Sequence, residues 1–331
     1  MAINRRFWRG RSVLITGFEG FLGSNLTRAL IHCGAKVIGL DIKTGRKETI
    51  LTAANYRKMT VIKGSVANYR LLENILTRKN INIIFHLAAE AIVGRCHSNP
   101  LRTFSANIKG TWNLLEACRN AKTVKSIVIA SSDKAYGSHK KLPYTEDTPL
   151  IGNHPYDVSK SCADLIAYTY FHTYGLPVAV TRCGNIYGPG DFNFSRIIPD
   201  ALQCIKNNKI LLIRSDGRFV RDYVYVDDIV EGYILLAEKF GVRQLAGQAF
   251  NFSIENPITV LELLKQIDKV GVQYGKLKYK ILNAAKYEIK KQYLSSAKAR
   301  NILGWKPKYT LNQGLQKTIR WYLDKVQTYC S

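Results

Sequence analysis

Three side chains that can exchange protons or hydrogen bonds stand in consecutive positions after an apolar run. The run, Ser-Ile-Val-Ile-Ala at 126–130, predicts a buried strand, and Ser132, Asp133 and Lys134 follow its end. A hydroxyl, a carboxylate and an amine at one strand end indicate a chemical role. The alternative is an Asp133–Lys134 contact within the loop that takes no part in chemistry.

A second candidate pair has the spacing Tyr-x-x-x-Lys, with Tyr156 and Lys160 in the segment Pro-Tyr-Asp-Val-Ser-Lys. Positions four apart lie on one face of a helix, so the phenol and the ammonium can face the same site. A neighbouring positive charge favours the phenolate, and we expect it to lower the pKa of Tyr156. A solvated helix face is the alternative for this pair.

A glycine-rich segment, Thr-Gly-Phe-Glu-Gly-Phe-Leu-Gly at 16–23, lies between a predicted strand and a predicted helix. Gly17, Gly20 and Gly23 permit a tight turn and let backbone N–H groups approach a pyrophosphate at the helix N-terminus. The next predicted strand ends in Asp41, where a carboxylate can accept hydrogen bonds from ribose hydroxyls and would repel a 2′-phosphate. The pattern therefore predicts NAD.

Two alternatives remain at this position. Lys43 and Arg46 follow Asp41 closely and keep NADP possible as the cofactor. Asp41 itself could be an ordinary turn residue at a strand end.

The elements that position these residues alternate along the first half of the chain. Apolar strand-like runs take turns with amphipathic helix-like segments, which predicts a parallel sheet with helices on both faces. We predict an α/β fold of the Rossmann type, a doubly wound parallel sheet with a smaller carboxy-terminal α/β lobe that binds substrate. The predicted nucleotide-binding domain spans 1–188 with returning segments near 221–254, and the discontinuous lobe spans 189–331.

Composition excludes several functional classes. The 331 residues include 49 Lys and Arg against 24 Asp and Glu, a net charge of +25 that favours anionic partners such as nucleotides. Aromatic residues do not interleave with the basic ones, which argues against nucleic acid as a partner. No run approaches the ~18 apolar residues of a membrane span, and the apolar segment after the basic N-terminus is too short for a signal peptide.

The seven cysteines are odd in number and form no Cys-x-x-Cys pair. This pattern predicts reduced thiols in a cytoplasmic protein and no metal site.

The motifs together resemble the extended branch of the short-chain dehydrogenase/reductase superfamily, the NAD-dependent nucleotide-sugar epimerases and dehydratases. The resemblance covers nearly the whole chain. Besides the glycine loop and the Tyr-x-x-x-Lys motif it rests on FHLAAE (85–90), NIKGTWNLLEA (107–117), TRCGNIYGPGD (181–191), GRFVRDYVYVDD (217–228) and ARNILGWKP (299–307).

The resemblance implies a tightly held NAD that is regenerated in each turnover. The positions that match the family's cofactor-binding residues are Gly17, Phe18, Glu19, Gly20, Phe21, Leu22, Gly23, Asp41, Leu87, Ala88, Ala89, Asn107, Tyr156 and Lys160.

The resemblance also assigns catalytic roles. Tyr156 would take the proton of the sugar 4-hydroxyl while hydride leaves C4 for the nicotinamide. Lys160 would hold the nicotinamide ribose and lower the pKa of Tyr156, and Ser132 would bond to the 4-oxygen. Asn185 and Arg221 match positions that contact the substrate diphosphate. A turn cap is the alternative for Asn185, and a surface salt bridge with the neighbouring aspartate is the alternative for Arg221.

The Ser-Asp-Lys run most resembles CDP-glucose 4,6-dehydratases. In this interpretation Asp133 protonates the leaving C6 hydroxyl, and Lys134, with a pKa lowered by burial and nearby positive charge, removes the C5 proton. The predicted reaction converts a nucleoside diphosphate hexose to its 4-keto-6-deoxy product, with CDP-glucose as the favoured substrate. The alternatives are a nucleotide-sugar 4-epimerase, in which Asp133 and Lys134 take no part, and a basic binding protein without catalysis.

Two predicted helices, at about 100–118 and 156–172, carry more apolar residues than one sheet face needs. In the resembled family such helices pair across a two-fold axis as a four-helix bundle, which predicts a homodimer. The same residues could instead pack on the sheet; they are Trp112, Leu115, Leu165, Ile166, Tyr168 and Tyr170.

Overall fold

The computed structural model describes residues 3–241, 244–284 and 288–324. Within them the strands are, in chain order, β1 (Ser12–Thr16), β2 (Lys36–Asp41), β3 (Met59–Lys63), β4 (Ile83–His86), β5 (Ser126–Ala130), β6 (Val178–Cys183), β7 (Asn185–Tyr187), β8 (Ile210–Ile213), β9 (Val220–Arg221), β10 (Tyr223–Tyr225), β11 (Ala249–Phe252), β12 (Ile258–Thr259), β13 (Lys278–Ile281) and β14 (Lys291–Gln292).

The α-helices are α1 (Arg5–Trp8), α2 (Phe21–His32), α3 (Ala53–Tyr56), α4 (Tyr69–Arg78), α5 (Val93–Ser98), α6 (Pro100–Phe104), α7 (Gly110–Arg119), α8 (Pro155–Tyr174), α9 (Ile197–Lys206), α10 (Val226–Lys239), α11 (Val260–Val270) and α12 (Leu311–Asp324). Short 3₁₀ helices lie at Asp133–Tyr136 and Val272–Tyr274, and π-helical turns lie at Ser105–Lys109 and Ala299–Leu303. No helix in these described ranges is both long and apolar enough to cross a membrane.

Seven strands form one parallel sheet in the order β3-β2-β1-β4-β5-β6-β11. The strand order reverses between β1 and β4, and in such sheets ligands bind at the carboxyl ends of the strands beside that reversal. The predicted Rossmann-type α/β fold is therefore confirmed.

Apart from the edge strand β3, which has no buried residue, the sheet is covered on both faces. On β1, Val13 and Ile15 join the core that includes α2 and α10, whereas Leu14 joins the core that includes α4 and α7. A strand needs hydrophobic residues on both faces when helices cover both sides of its sheet.

The chain returns to the large sheet after it has built smaller ones. β11 pairs with β6 at the sheet edge, within the segment predicted to return. Outside the large sheet β7 pairs with β10, β8 with β13, and β9 lies between β12 and β14. The division into two domains near residue 188 stays a prediction.

The helices expected to form a dimer bundle divide their apolar residues between core and surface. Leu115 is buried in the core beside α4, so its predicted place in an intersubunit surface is wrong. Ile166 and Tyr170 also pack against that core. Trp112 and Leu165 remain exposed, by 44% and 58% of their surface, as does Tyr168 by 54%.

Candidate active site

The glycine loop turns between β1 and α2 and lies against the end of β4. Gly17 has φ of +73°, and a Cβ placed there would stand 2.8 Å from the backbone nitrogen of Ala88. A Cβ on Gly23 would overlap the Gly17 carbonyl oxygen. No side chain caps α2 at Gly20, so the N–H groups of its first turn, at Phe21 and Leu22, are available to an anion. The loop therefore fits the pyrophosphate of a dinucleotide.

Asp41 closes β2 and is buried. Its Oδ1 accepts hydrogen bonds from Arg46 Nη2 at 2.5 Å and from the Lys43 backbone nitrogen at 3.3 Å. Both contacts use the same carboxylate oxygen, which leaves Oδ2 to accept a ribose hydroxyl. Asp41 is thus held in place by the residues that follow it and fits its predicted role.

Two predicted cofactor-binding side chains point elsewhere. Phe18 is fully buried in the core. Glu19 is buried too, and its carboxylate accepts hydrogen bonds from the backbone nitrogens of Gly45 at 2.6 Å and Arg46 at 2.9 Å and from the Tyr56 hydroxyl at 2.6 Å. The backbone atoms of Phe18 and Glu19 remain available to a cofactor, and the role of these two residues in cofactor binding stays a prediction.

The segment Leu87, Ala88 and Ala89 follows β4 and is tied to the end of β1. The Leu87 nitrogen donates to the Thr16 carbonyl at 3.1 Å, and the Ala88 nitrogen donates to Thr16 Oγ1 at 3.2 Å. His86, which the sequence analysis missed, lies beneath this segment, with Nδ1 2.8 Å from Thr16 Oγ1. Burial lowers the pKa of His86 to about 3, so it is a neutral structural group.

Asn107 lies in the π-helical turn ahead of α7 and ties the site together. Its Nδ2 donates to Ser159 Oγ at 2.9 Å and to the Glu90 carbonyl at 3.0 Å, while its Oδ1 accepts from the Glu90 nitrogen at 2.7 Å. Such π turns occur frequently at functional sites because they redirect one side chain. Asn107 therefore fixes both α8 and the segment after β4.

Tyr156 and Lys160 occupy the first turns of α8, which begins with Pro155. Lys160 Nζ lies 5.9 Å from the centre of the Tyr156 ring and donates to the Ala130 carbonyl at 2.6 Å. Burial lowers the pKa of Lys160 to about 8. The structure therefore brings the predicted pair together at the end of β5.

The pKa of Tyr156 differs from the prediction. Burial raises it above the usual value, and the Ser132 side chain counteracts this only in part. Lys160 is not among the main groups that act on this pKa; its Nζ donates to the Ala130 carbonyl and lies 5.9 Å from the centre of the ring. The groups of the chain by themselves keep the phenol protonated.

Ser132, Asp133 and Lys134 begin the 3₁₀ helix that follows β5. Ser132 Oγ donates to Asp133 Oδ1 at 2.9 Å and accepts from the Lys134 backbone nitrogen at 3.2 Å. Burial raises the pKa of the Asp133 carboxyl. Burial, and then the positive charge of Arg221, lower the pKa of the Lys134 amine.

The side chains of Asp133 and Lys134 do not simply pair with each other. Lys134 Nζ donates to Gln292 Oε1 at 2.8 Å, and Gln292 Nε2 donates to the Asp133 carbonyl at 2.8 Å. No spacing in the chain connects Gln292 with the Ser-Asp-Lys run, so its place in the site could not be predicted from the sequence. The other charged groups that act on Lys134 are Asp157 and Glu288.

Asn185 begins β7, and Arg221 ends β9. Asn185 Nδ2 donates to the Asp222 carbonyl at 3.4 Å. The buried Arg221 guanidinium donates to the carbonyls of Val220 at 2.8 Å, Ile289 at 2.5 Å and Lys290 at 3.3 Å.

The alternative of a surface salt bridge between Arg221 and Asp222 is wrong. The Asp222 carboxylate accepts from the backbone nitrogens of Glu255 at 3.1 Å and Asn256 at 3.4 Å. Burial raises the pKa of Asp222 to about 6.

A cavity of about 510 Å³ opens beside these residues. It lies between the loop after the 3₁₀ helix, the start of α8 and the segment before β14, and its ionisable lining residues are His139, Lys140, His154, Asp157, Glu288, Lys290 and Lys291. The polar and mostly basic lining suits a polar anionic ligand.

Comparison with known proteins agrees with this geometry. The family model described as GDP-mannose 4,6 dehydratase matches residues 14–318. The chain is 31% identical to a CDP-glucose 4,6-dehydratase of Salmonella typhimurium, with 97% of this chain and 92% of that protein covered. It is 30% identical to a UDP-glucuronate 4-epimerase of Thermodesulfobacterium geofontis, with 95% and 97% covered.

Solved structures show the same two classes. A dTDP-glucose 4,6-dehydratase of Bacillus anthracis in complex with NAD superposes with a TM-score of 0.85 at 31% identity, over 96% of this chain and 98% of that one. A UDP-glucose 4-epimerase of Thermotoga maritima with UDP-glucose gives 0.86 at 28% identity, over 95% and 99%. The chain therefore belongs to the GDP-mannose 4,6-dehydratase family, within the NAD-dependent nucleotide-sugar dehydratases and epimerases of the short-chain dehydrogenase/reductase superfamily.

Proposed function

We propose that the protein is a nucleotide-sugar 4,6-dehydratase that converts CDP-glucose to CDP-4-keto-6-deoxyglucose. The observation that carries the proposal is the pair of buried groups beside Tyr156, a carboxyl with a raised pKa at Asp133 and an amine with a lowered pKa at Lys134. A carboxyl that keeps its proton is a general acid, and an amine that gives up its proton is a general base. Water elimination needs one of each.

NAD, when bound, supplies the hydride acceptor at C4 and returns that hydride to C6. Gly17, Gly20 and Gly23 would hold its pyrophosphate, and Asp41 Oδ2 would accept a ribose hydroxyl. Lys160 lies beside Tyr156 and would hold the second ribose through its Nζ, which here donates to the Ala130 carbonyl.

The first chemical step is the removal of the 4-hydroxyl proton. Tyr156 is the base, and Ser132, whose side chain acts on the phenol, bonds to the 4-oxygen. Since burial raises the pKa of Tyr156, the phenolate forms only with positive charge close to it. The oxidised cofactor, when bound, would supply such a charge.

The second step is the elimination of water across C5 and C6. The C4 ketone acidifies the C5 proton, Lys134 Nζ takes that proton, and Asp133 gives its own proton to the leaving C6 oxygen. Once hydride has been returned to C6, Lys134 would give its proton back to C5 and recover the neutral amine. Asp133 is left as a carboxylate and would regain its proton from solvent, to which Tyr156 releases the proton it took from the 4-hydroxyl.

Asn185 and Arg221 are the proposed contacts to the substrate diphosphate. A guanidinium bonded to three backbone carbonyls is held rigidly, and its positive charge favours an anion nearby. The identity to the Salmonella typhimurium protein, together with the Ser-Asp-Lys run, supports a cytidine nucleotide.

A nucleotide-sugar 4-epimerase is the second candidate. Relatives of that class are nearly as similar in sequence and structure, and the Tyr156–Lys160 pair would serve C4 oxidation equally well. In an epimerase the pKa values of Asp133 and Lys134 would have no function.

Incubation of the purified protein with CDP-, dTDP-, UDP- and GDP-hexoses, followed by mass spectrometry, tests the proposal. Loss of one water from CDP-glucose is the expected result. Loss of water from another nucleotide sugar would support the dehydratase activity but identify a different substrate. A product of unchanged mass and altered retention time would identify the epimerase instead.

We also propose a cytoplasmic homodimer. Trp112, Leu165 and Tyr168 are large exposed residues on α7 and α8, which supports a bundle of these helices from two subunits. Six of the cysteines lie in the described part of the chain and are free thiols, which supports a reducing compartment, whereas Cys330 lies outside it. Sedimentation of the wild type and of Leu165→Lys would test the dimer.

A further inference from the structure

Gln292 is fully buried, and both the oxygen and the nitrogen of its side-chain amide form hydrogen bonds with the Ser-Asp-Lys run. Its Oε1 accepts from Lys134 Nζ at 2.8 Å, and its Nε2 donates to the Asp133 carbonyl at 2.8 Å. A buried amide is stable when its donor and acceptor are both bonded, and here both bonds go to the two proposed acid–base residues. Gln292 therefore fixes where these residues stand.

The strand that carries Gln292 also holds the proposed diphosphate contact. In the pairing of β14 with β9, Gln292 lies opposite Arg221. The carbonyls of Ile289 and Lys290, just ahead of β14, accept hydrogen bonds from the Arg221 guanidinium. The short segment 289–292 thus contacts both the proposed diphosphate-binding residue Arg221 and the Ser-Asp-Lys run.

The chemistry of the amide suits a base. A neutral lysine amine that donates one hydrogen to an amide oxygen keeps its lone pair for a substrate proton. A carboxylate in the same place would bond as well but would stabilise the ammonium and raise the pKa of Lys134. The titratable and charged groups that already face Lys134 are Asp133, Asp157 on α8, Arg221 on β9 and Glu288 before β14.

We propose that Gln292 is a positioning residue that holds Lys134 Nζ towards the sugar C5 position and, as an uncharged acceptor, keeps the amine able to lose its proton. The proposal rests on the proposed dehydratase function, since it gives Lys134 the role of base. It extends that function to a residue 158 positions away in the chain.

Two variants separate a positioning role from a merely structural one. Q292M and Q292E have similar size, and both lose the hydrogen bond to the Asp133 carbonyl, but Q292E alone adds a charge next to Lys134. An opposite charge at this range moves a pKa by about one to three pH units, so the neutral fraction of Lys134 should fall about 10–1000-fold in Q292E. Q203E, on the exposed face of α9, adds the same charge far from the loop.

The first measurement is the pH profile of water elimination. The expected result is that Q292E loses activity at neutral pH and recovers it as the pH rises. The acidic limb of its pH–activity curve should move to higher pH by about one to three pH units. Q292M should lose activity at every pH without displacement of the limb, and Q203E should match the wild type. Identical profiles for Q292M and Q292E would overturn the inference.

The second measurement does not depend on turnover. The rate at which an acylating reagent modifies Lys134, mapped by peptide mass spectrometry across pH, reports the pKa of this amine. We expect its midpoint to rise in Q292E relative to both Q292M and the wild type; equal midpoints in folded proteins would overturn the inference. A wild type that eliminates no water from any sugar nucleotide would instead refute the proposed function, and the two failures are distinguishable.

Discussion

Replacement of Lys134 by methionine tests the base of the proposed reaction. Methionine fills similar space but has no amine, so Gln292 Oε1 loses the donor that now stands 2.8 Å away. General-base catalysis by a positioned side chain contributes about 10²–10⁴-fold in rate. That range equals about 2.7–5.4 kcal/mol of transition-state stabilisation, since each tenfold step is about 1.36 kcal/mol.

We expect the loss near the middle of that range, about 10³-fold in water elimination. The Lys134 amine is held by Gln292, and burial lowers its pKa, both of which favour its action as a base. C4 oxidation depends on Tyr156 and should continue. Lys134→Met should therefore accumulate NADH on addition of substrate, which absorbance detects, while mass spectrometry detects little loss of water.

The assay needs a control for folding and for charge. Lys206 is exposed at the C-terminal end of α9, and Lys206→Met removes the same charge outside the residues assigned to the site. An unsatisfied Gln292 oxygen costs about 1–3 kcal/mol of the free energy of unfolding, which thermal unfolding of Lys134→Met would register. Water elimination at the wild-type rate in Lys134→Met would refute the assignment of Lys134 as the base.

Three further predictions concern the cofactor loop and α8. Gly23→Ala should bind no NAD, because the added Cβ would overlap the Gly17 carbonyl oxygen. Gly94→Ala should retain NAD, because a Cβ at that position meets no atom within 4 Å. The cofactor content of the two purified variants measures this difference. Tyr156→Phe should form no NADH with substrate, and wild-type NADH formation would exclude Tyr156 as the base. Burial lowers the pKa of Lys160 to about 8, so between about 8 and its unfolded value of about 10.4 the unfolded chain binds more protons than the folded one. The free energy of unfolding should therefore rise with pH in that window by up to about 1.4 kcal/mol per pH unit relative to Lys160→Met; parallel denaturation curves would contradict this.

The alternation of strands and helices was enough to predict the large sheet. Val13, Leu14 and Ile15 are apolar in succession, which is typical of a strand covered on both faces. Because parallel strands share one carboxyl edge, the motifs after β1, β4 and β5 had to meet there. The positions of Gly17 and Ser132 in one site followed from this rule.

The environment of each side chain could not be predicted in the same way. A spacing of four places Tyr156 and Lys160 on one helix face, yet the pKa of Tyr156 depends on burial, which the whole fold determines. Glu19 stands inside the glycine motif, but its carboxylate turns to the loop at Gly45. Gln292 reaches Lys134 through a short strand that has no periodicity to recognise.

The most direct test of the proposed dehydratase follows one hydrogen through the reaction. The protein would be given CDP-glucose that carries deuterium at C4, and the product would be analysed by mass spectrometry with fragmentation. We predict a product that has lost one water and retains the deuterium, now at C6. A product of unchanged mass, with deuterium still at C4, would contradict the proposal and identify an epimerase.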